Sequence, residues 1–268
     1  MYDINTLQIS STYPCLIMYL IDQSGSMISN INYDKSKAEM VADSVNEVIY
    51  EAGIRCYSSN GNMKNYFEFA TIGYGGSDGT VEPAWEGNLR DRWVVSVAEV
   101  FQNAVGESNG VPIWVRPKAG RDTPMKKAFE NAFRLCKKWI EFGNHMDCYP
   151  PIIINISDGE ATDAGIGDTN LLNVVNDLKN LHTNYGHVNI FNIHISSEGG
   201  DSILFPTSQI NRTNQAKLLF EISTELNPKM VALAKNLGYS VHTGSKGYIY
   251  NGSARNLMDF LKIGSTPI

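Results

Sequence analysis

Leu16-Ile17-Met18-Tyr19-Leu20-Ile21 runs without a break into Asp22-Gln23-Ser24-Gly25-Ser26-Met27. The first six residues are all apolar and show no polar alternation. That is the pattern of a central parallel strand covered on both faces. The chain then changes character at once. A carboxylate and two hydroxyls fall at every second position, D-x-S-x-S. In an open parallel sheet, the loops at the carboxyl ends of the strands form the ligand site. A tight turn there can aim three oxygens at one point, although the same residues also suit a plain capping turn.

Strand and helix signals alternate outward from this stretch. Residues 34–52 place Ala38, Val41, Ala42, Val45, Val48, Ile49 and Ala52 at steps of three and four, an amphipathic helix that Gly53 suits as a stop. Residues 66–72 read as an aromatic-rich strand. Residues 124–142 form the clearest helix, with Met125, Ala128, Phe129, Ala132, Phe133, Cys136, Trp139 and Ile140 on one stripe. Thr123 suits its N-cap and Pro124 its first position. A buried strand follows at 152–156, a helix at 170–182 and a strand at 188–195. A helix opens at Asn227-Pro228 and ends at Gly238. Short strands are expected at 239–243 and 247–250, and Ser253 caps a last helix to about Lys262. The alternation predicts an α/β fold: a doubly wound, mostly parallel central sheet flanked by helices. Residues 77–120 mix Gly, Pro and charge around WVVSVAEVF, which suits strand or helix. Residues 196–214 have no periodicity.

Composition narrows the function classes. A chain of 268 residues suits one large α/β domain or two small ones, since single cores stop growing at roughly 250–300 residues. Lys plus Arg is 22 and Asp plus Glu is 28, a net charge of −6 that argues against nucleic-acid binding. No apolar run approaches the ~20 residues of a membrane span. The N-terminal stretch MYDINTLQIS lacks a signal-peptide pattern, so a cytoplasmic location is expected. Cys15, Cys56, Cys136 and Cys148 form no CxxC pair. Cys15 and Cys136 read as small buried hydrophobes, and Cys136, His145 and Cys148 fit no standard zinc spacing.

A second oxygen-bearing turn ends the fourth strand, at Ile154-Asn155-Ile156-Ser157-Asp158-Gly159-Glu160. Doubly wound topology sets Asp22 and Asp158 side by side. Two close carboxylates repel, so one pKa should rise, and a divalent cation removes the conflict. Hydroxyl, carboxylate and water ligands suit Mg²⁺, with Mn²⁺ close behind; zinc would want His or Cys. Thr123 adds a hydroxyl after Gly120-Arg121-Asp122, either as a helix cap or as a ligand.

These residues resemble the von Willebrand factor type A domain with its metal-ion-dependent adhesion site. That family carries D-x-S-x-S after the first strand, a Thr in a later Gly-containing loop and an Asp after the fourth strand. Asp22, Ser24, Ser26, Thr123 and Asp158 match in that order, and the resemblance covers about 15–261, which implies a single domain whose mostly parallel sheet has an antiparallel edge strand. The resemblance implies that Ser24 and Ser26 bind the ion directly, while Asp22, Thr123 and Asp158 bind directly or through water. It also implies that an Asp or Glu of a protein partner completes the coordination. The DQSGSM, TPM and SDGE wording is similar to prokaryotic, intracellular members, some of them encoded beside phosphatases and kinases in tellurium-resistance and stress-response clusters. The function so implied is Mg²⁺- or Mn²⁺-dependent protein recognition in a bacterial cytoplasmic assembly, without catalysis.

Two departures stand out. Many members have Gly-Gly before the Thr, where this chain has Arg121-Asp122. Arg121 either meets an acidic ligand or pairs with Asp122, and the pairing is favoured. The 77–120 segment is also longer than a minimal edge connection. Glu160 and Asp163 either tune the site or stand as solvated loop carboxylates. The 196–214 loop is expected to rise from the metal face and shape partner choice. A single-metal hydrolase such as a phosphatase is the main rival, but there is no GxSxG elbow, no D-x-D, no phosphate loop and no evident His partner among the five histidines. A secreted adhesin shares the site. N-x-S/T triplets occur at Asn155, Asn211 and Asn251, but such triplets arise often by chance and Asn155 falls in a buried strand; with no signal-peptide or disulfide pattern, this reading is the weaker one.

Overall fold

Cys15–Asp22 forms strand β1, and every one of its residues is buried. Side chains alternate across a strand, so β1 feeds two cores. Cys15, Ile17, Tyr19 and Ile21 enter one and Leu16, Met18 and Leu20 the other. This explains the unbroken apolar run: neither face of the strand meets water. The structure is a computed structural model that describes residues 1–32, 35–76, 78–159, 161–195 and 201–264.

The other strands of the main sheet are β2 (Phe67–Tyr74), β3 (Val81–Pro83), β4 (Val95–Ser96), β5 (Ile152–Ser157), β6 (Asn189–His194), β7 (Ile203–Leu204) and β8 (Tyr248–Tyr250). Their order is β7-β8-β6-β5-β1-β2-β3, with β4 also paired to β2. The five strands from β8 to β2 run parallel. Pairing turns antiparallel at both edges, β7 on β8 and β3 and β4 on β2. From β1 the chain moves first to β2 on one side and later to β5 on the other. Strand order therefore reverses between β1 and β5, the position at which open α/β sheets place their ligands, outside the carboxyl ends of the strands.

Helices cover both faces. α1 (Lys37–Ile54), α6 (Pro228–Asn236) and α7 (Ala254–Gly264) lie on one, through Val41, Val45, Ile49, Met230, Leu257 and Phe260. α3 (Met125–Lys137), α4 (Thr169–Asn180) and α5 (Asn214–Ile222) lie on the other, through Phe129, Leu171, Val175 and Leu219. The short α2 (Val97–Gln102) follows β4 directly. Among the described residues no helix is long and apolar enough to cross a membrane. All four cysteines are buried and free.

Several local expectations change. Gly53 does not end α1, which runs to Ile54; an added Cβ there would lie 1.9 Å from the Phe101 ring, so the glycine serves close packing. The ambiguous WVVSVAEVF segment is both strand and helix, because Ser96 and Glu99 form a capping box that starts α2 at Val97. α3 continues beyond Lys137 as one π-helical turn, Lys138–Phe142. Residues 239–243 form no strand, although Val241 is buried in the core.

Candidate metal-binding site

Asp22 and Asp158 leave the sheet beside one another because β1 and β5 are parallel neighbours with Ile21 opposite Ile156. Asp22 Oδ1 accepts from the Ser24 backbone N–H at 2.8 Å, which closes a tight Asx turn. Asp22 Oδ2 accepts from Ser157 Oγ at 2.6 Å. Ser26 Oγ donates to Asp158 Oδ1 at 2.6 Å and lies 3.1 Å from Ser24 Oγ. Both carboxylates and both hydroxyls of the D-x-S-x-S and SDG turns thus meet at one point. Asp22 and Ser24 are buried and Ser26 is exposed, so the cluster opens to solvent at Ser26.

Three loops are interlocked to build this point. The Gly120 N–H donates to Gln23 O at 2.7 Å, Gly25 N–H to Arg121 O at 3.1 Å, and Arg121 N–H to Gly75 O at 2.9 Å. A Cβ on Gly120 would lie 2.2 Å from the Gly76 backbone, so only glycine lets these loops approach. Gly75 has a φ of 95° and a Cβ there would lie 2.1 Å from Asp122 O. Arg121 and Asp122 form no ion pair among the described residues, against the favoured expectation; the backbone bonds of this loop fix it instead.

Thr123 is brought to the same place. It is buried, and the point where a Cβ on Gly159 would sit lies 3.7 Å from Thr123 Oγ1 and 3.8 Å from Ser26 Oγ. The expected N-cap role is not observed: Pro124 occupies the cap position of α3 and no side chain of that position caps it. Asp163 caps the helix from another loop, accepting from Lys126 N–H at 2.9 Å and Lys127 N–H at 3.0 Å. Asp163, half-buried, is therefore a helix cap, and its hydrogen bonds among the described residues go to α3 rather than to the five candidate ligands. Thr162 completes the arrangement. Its Oγ1 accepts from Thr123 N–H at 3.2 Å, and its N–H donates to Thr123 O at 3.0 Å. Thr123 Oγ1 is thereby released from capping.

Electrostatics follow from burial. Asp22 is 1% exposed, and loss of hydration pushes its carboxyl up to about 6, with Asp158 adding to the rise and the bonds from Ser157 and Ser24 opposing it. The Asp158 side chain has 0% exposure, and its Oδ2 accepts from Lys37 Nζ at 2.6 Å. His194, at the end of β6 beside Ser157, is also buried; burial pulls its imidazole down to about 4, so it is neutral at pH 7. Its Nδ1 has no hydrogen-bond partner among the described residues.

Lys37, Ser157 and His194 were not singled out in the sequence. Two of them left a trace there. Ser157 directly follows the buried strand read at 152–156 and precedes Asp158. Lys37 stands four residues before Val41, on the apolar stripe of α1. Glu160 lies outside the described residues, as do residues 196–200 of the 196–214 loop. Within the described part of that loop, 201–214, Ile203–Leu204 pairs with β8, two strands beyond β5.

The donor set is hydroxyl and carboxylate oxygen, which fits a small hard cation such as Mg²⁺ or Mn²⁺. The opening at Gly159, which a Cβ would fill, borders two of the hydroxyls. Among the described residues no three His, Cys, Asp or Glu side chains gather as a metal-binding group, so three of the five candidate ligands are hydroxyls. No protein-family model and no curated protein matches this chain.

Proposed function

We propose that this chain is a von Willebrand factor type A-like recognition domain whose divalent ion takes an acidic residue of a protein partner. Ser24, Ser26 and Thr123 would hold the ion, with Asp22 and Asp158 binding directly or through water. When bound, the ion would act as a Lewis acid toward a carboxylate oxygen. The protein's own part is to orient the hydroxyls and leave one side of the cluster open. The observation that carries this reading is the meeting of Ser24 Oγ, Ser26 Oγ and Asp158 Oδ1 within hydrogen-bond distance at the switch point of the sheet.

Exposed apolar residues in the two ion-bearing loops favour a protein partner. Ile28, two residues after Ser26, is 70% exposed, and Ile166, in the loop after Asp158, is 99% exposed. Exposed apolar side chains on both ion-bearing loops suit a docked protein surface. The setting implied by the resemblance belongs to the same proposal: a bacterial cytoplasmic stress-response assembly with a phosphatase or kinase partner. Pull-down from native lysate tests it, with wild type and Asp22→Ala, in Mg²⁺ and in EDTA. A partner retained only by wild type in Mg²⁺ supports ion-bridged recognition; equal retention in every arm refutes it.

A further inference from the structure

Lys37 is the part of this site that the D-x-S-x-S pattern does not supply. It is the first residue of α1, where the partial positive charge of a helix amino end opposes a cation. Its side chain is 2% exposed, so the ammonium has also lost its hydration. Two unfavourable effects at one residue require a specific counter-charge, and Asp158 Oδ2 provides it at 2.6 Å. The other oxygen of that carboxylate accepts from Ser26 Oγ at 2.6 Å. Asp158 is thus shared between a lysine and the hydroxyl that would hold the ion.

The charges of the described side chains then decide what the site can take. Asp22 and Asp158 against Lys37 leave one net negative charge, and a divalent ion converts it to one net positive charge. Without Lys37 the loaded site would be neutral and would offer an added carboxylate no net attraction. We infer that Lys37 is a built-in counter-cation: it holds Asp158 in the ion-free protein, weakens ion binding, and leaves the loaded site with the single positive charge that one carboxylate neutralises. This inference rests on the ion site proposed above. It makes the ion and the acidic partner mutually reinforcing ligands, since each supplies the charge that the other needs.

The test is calorimetric titration of MgCl₂ alone into wild type, Lys37→Met and Lys37→Gln at pH 8 and low salt, with thermal melts in EDTA and in MgCl₂. Both variants should bind Mg²⁺ about tenfold or more tightly than wild type, because a like charge has left the site. Both should melt lower than wild type in EDTA and recover in MgCl₂, where the ion replaces the ammonium beside Asp158. Equal or weaker Mg²⁺ binding in the variants, with wild type binding, overturns the role of Lys37 and leaves the ion site standing. Absence of Mg²⁺ binding in wild type and variants alike overturns the ion site itself. If Lys37→Met does not fold, Lys37→Gln, which keeps a hydrogen-bond donor, decides. Failure of both to fold even in MgCl₂ shows that the ion does not substitute for the lysine, and the inference falls.

Discussion

Ser157 Oγ donates to Asp22 Oδ2 at 2.6 Å, linking β5 to β1 at the point where strand order reverses. The bond joins the two strands that present the site, and its acceptor is a buried carboxylate. A hydrogen bond to a charged group contributes about 1.5–3 kcal/mol. Ser157→Ala should therefore lower urea-derived stability by about that amount at pH 8. A loss no larger than that of an exposed Ser→Ala control would show that Asp22 finds another donor.

Burial of Asp22 has its own signature in the ion-free protein. Its carboxyl is raised to about 6 from an ordinary 3.8. A group whose folded pKa is raised adds stability that is complete below the unfolded value and is lost as pH rises through the folded one. The ionised Asp22 thus costs up to about 3 kcal/mol at pH 8. In EDTA, Asp22→Asn should be more stable than wild type at pH 8, with the gap closing toward pH 4. In excess Mg²⁺ the order should reverse, because only wild type gains ligand binding. Chemical denaturation across that range reads both effects. A wild type that is more stable than the variant at pH 8 in EDTA would contradict the account.

Below the site, Tyr74 OH donates to Asn155 Oδ1 at 2.8 Å, Asn155 Nδ2 to Asn192 Oδ1 at 2.9 Å, and Asn192 Nδ2 to Ser223 Oγ at 2.9 Å. This chain of buried polar groups crosses β2, β5 and β6. Asn155→Leu strands two partners without water and should cost about 2–5 kcal/mol. Tyr74→Phe removes one donor and should cost less. The reverse ranking in denaturant titrations would mean that the network is not continuous.

Asp163 separates support of α3 from the chemistry of the site. Asp163→Ala removes the acceptor for two amides at the start of α3 and should cost about 1–2 kcal/mol. Its effect on Mg²⁺ affinity should stay below the ~10-fold typical of lost contacts to metal ligands. A larger fall in affinity without loss of stability would return Asp163 to the site.

The parts legible in the sequence were those governed by local periodicity. β1 reads as buried because all of its residues are, and α1 and α3 read as helices because each presents one apolar stripe. The five candidate ligands were legible because each sits at a strand end or in a loop that topology sends to one edge. What escaped depends on partners distant in the chain. Asp163 caps a helix that begins 38 residues earlier, so in the sequence Thr123 reads as the cap although it does not cap. Lys37 meets Asp158 across 121 residues. Residues 239–243 carry apolar side chains at strand spacing, yet among the described residues no strand pairs with them; packing of Tyr239 and Val241 against the core accounts for the pattern.

The central claim is that Ser24, Ser26, Thr123, Asp22 and Asp158 hold one divalent ion. The most direct measurement is anomalous diffraction from crystals grown with Mn²⁺, for wild type and Asp22→Ala. The account predicts a single Mn²⁺ peak in wild type, bounded by the Ser24, Ser26 and Thr123 hydroxyls, and no peak there in Asp22→Ala despite an unchanged fold. A wild-type map without Mn²⁺ at this point, or one that shows only the Lys37 ammonium among these oxygens at saturating Mn²⁺, would contradict it.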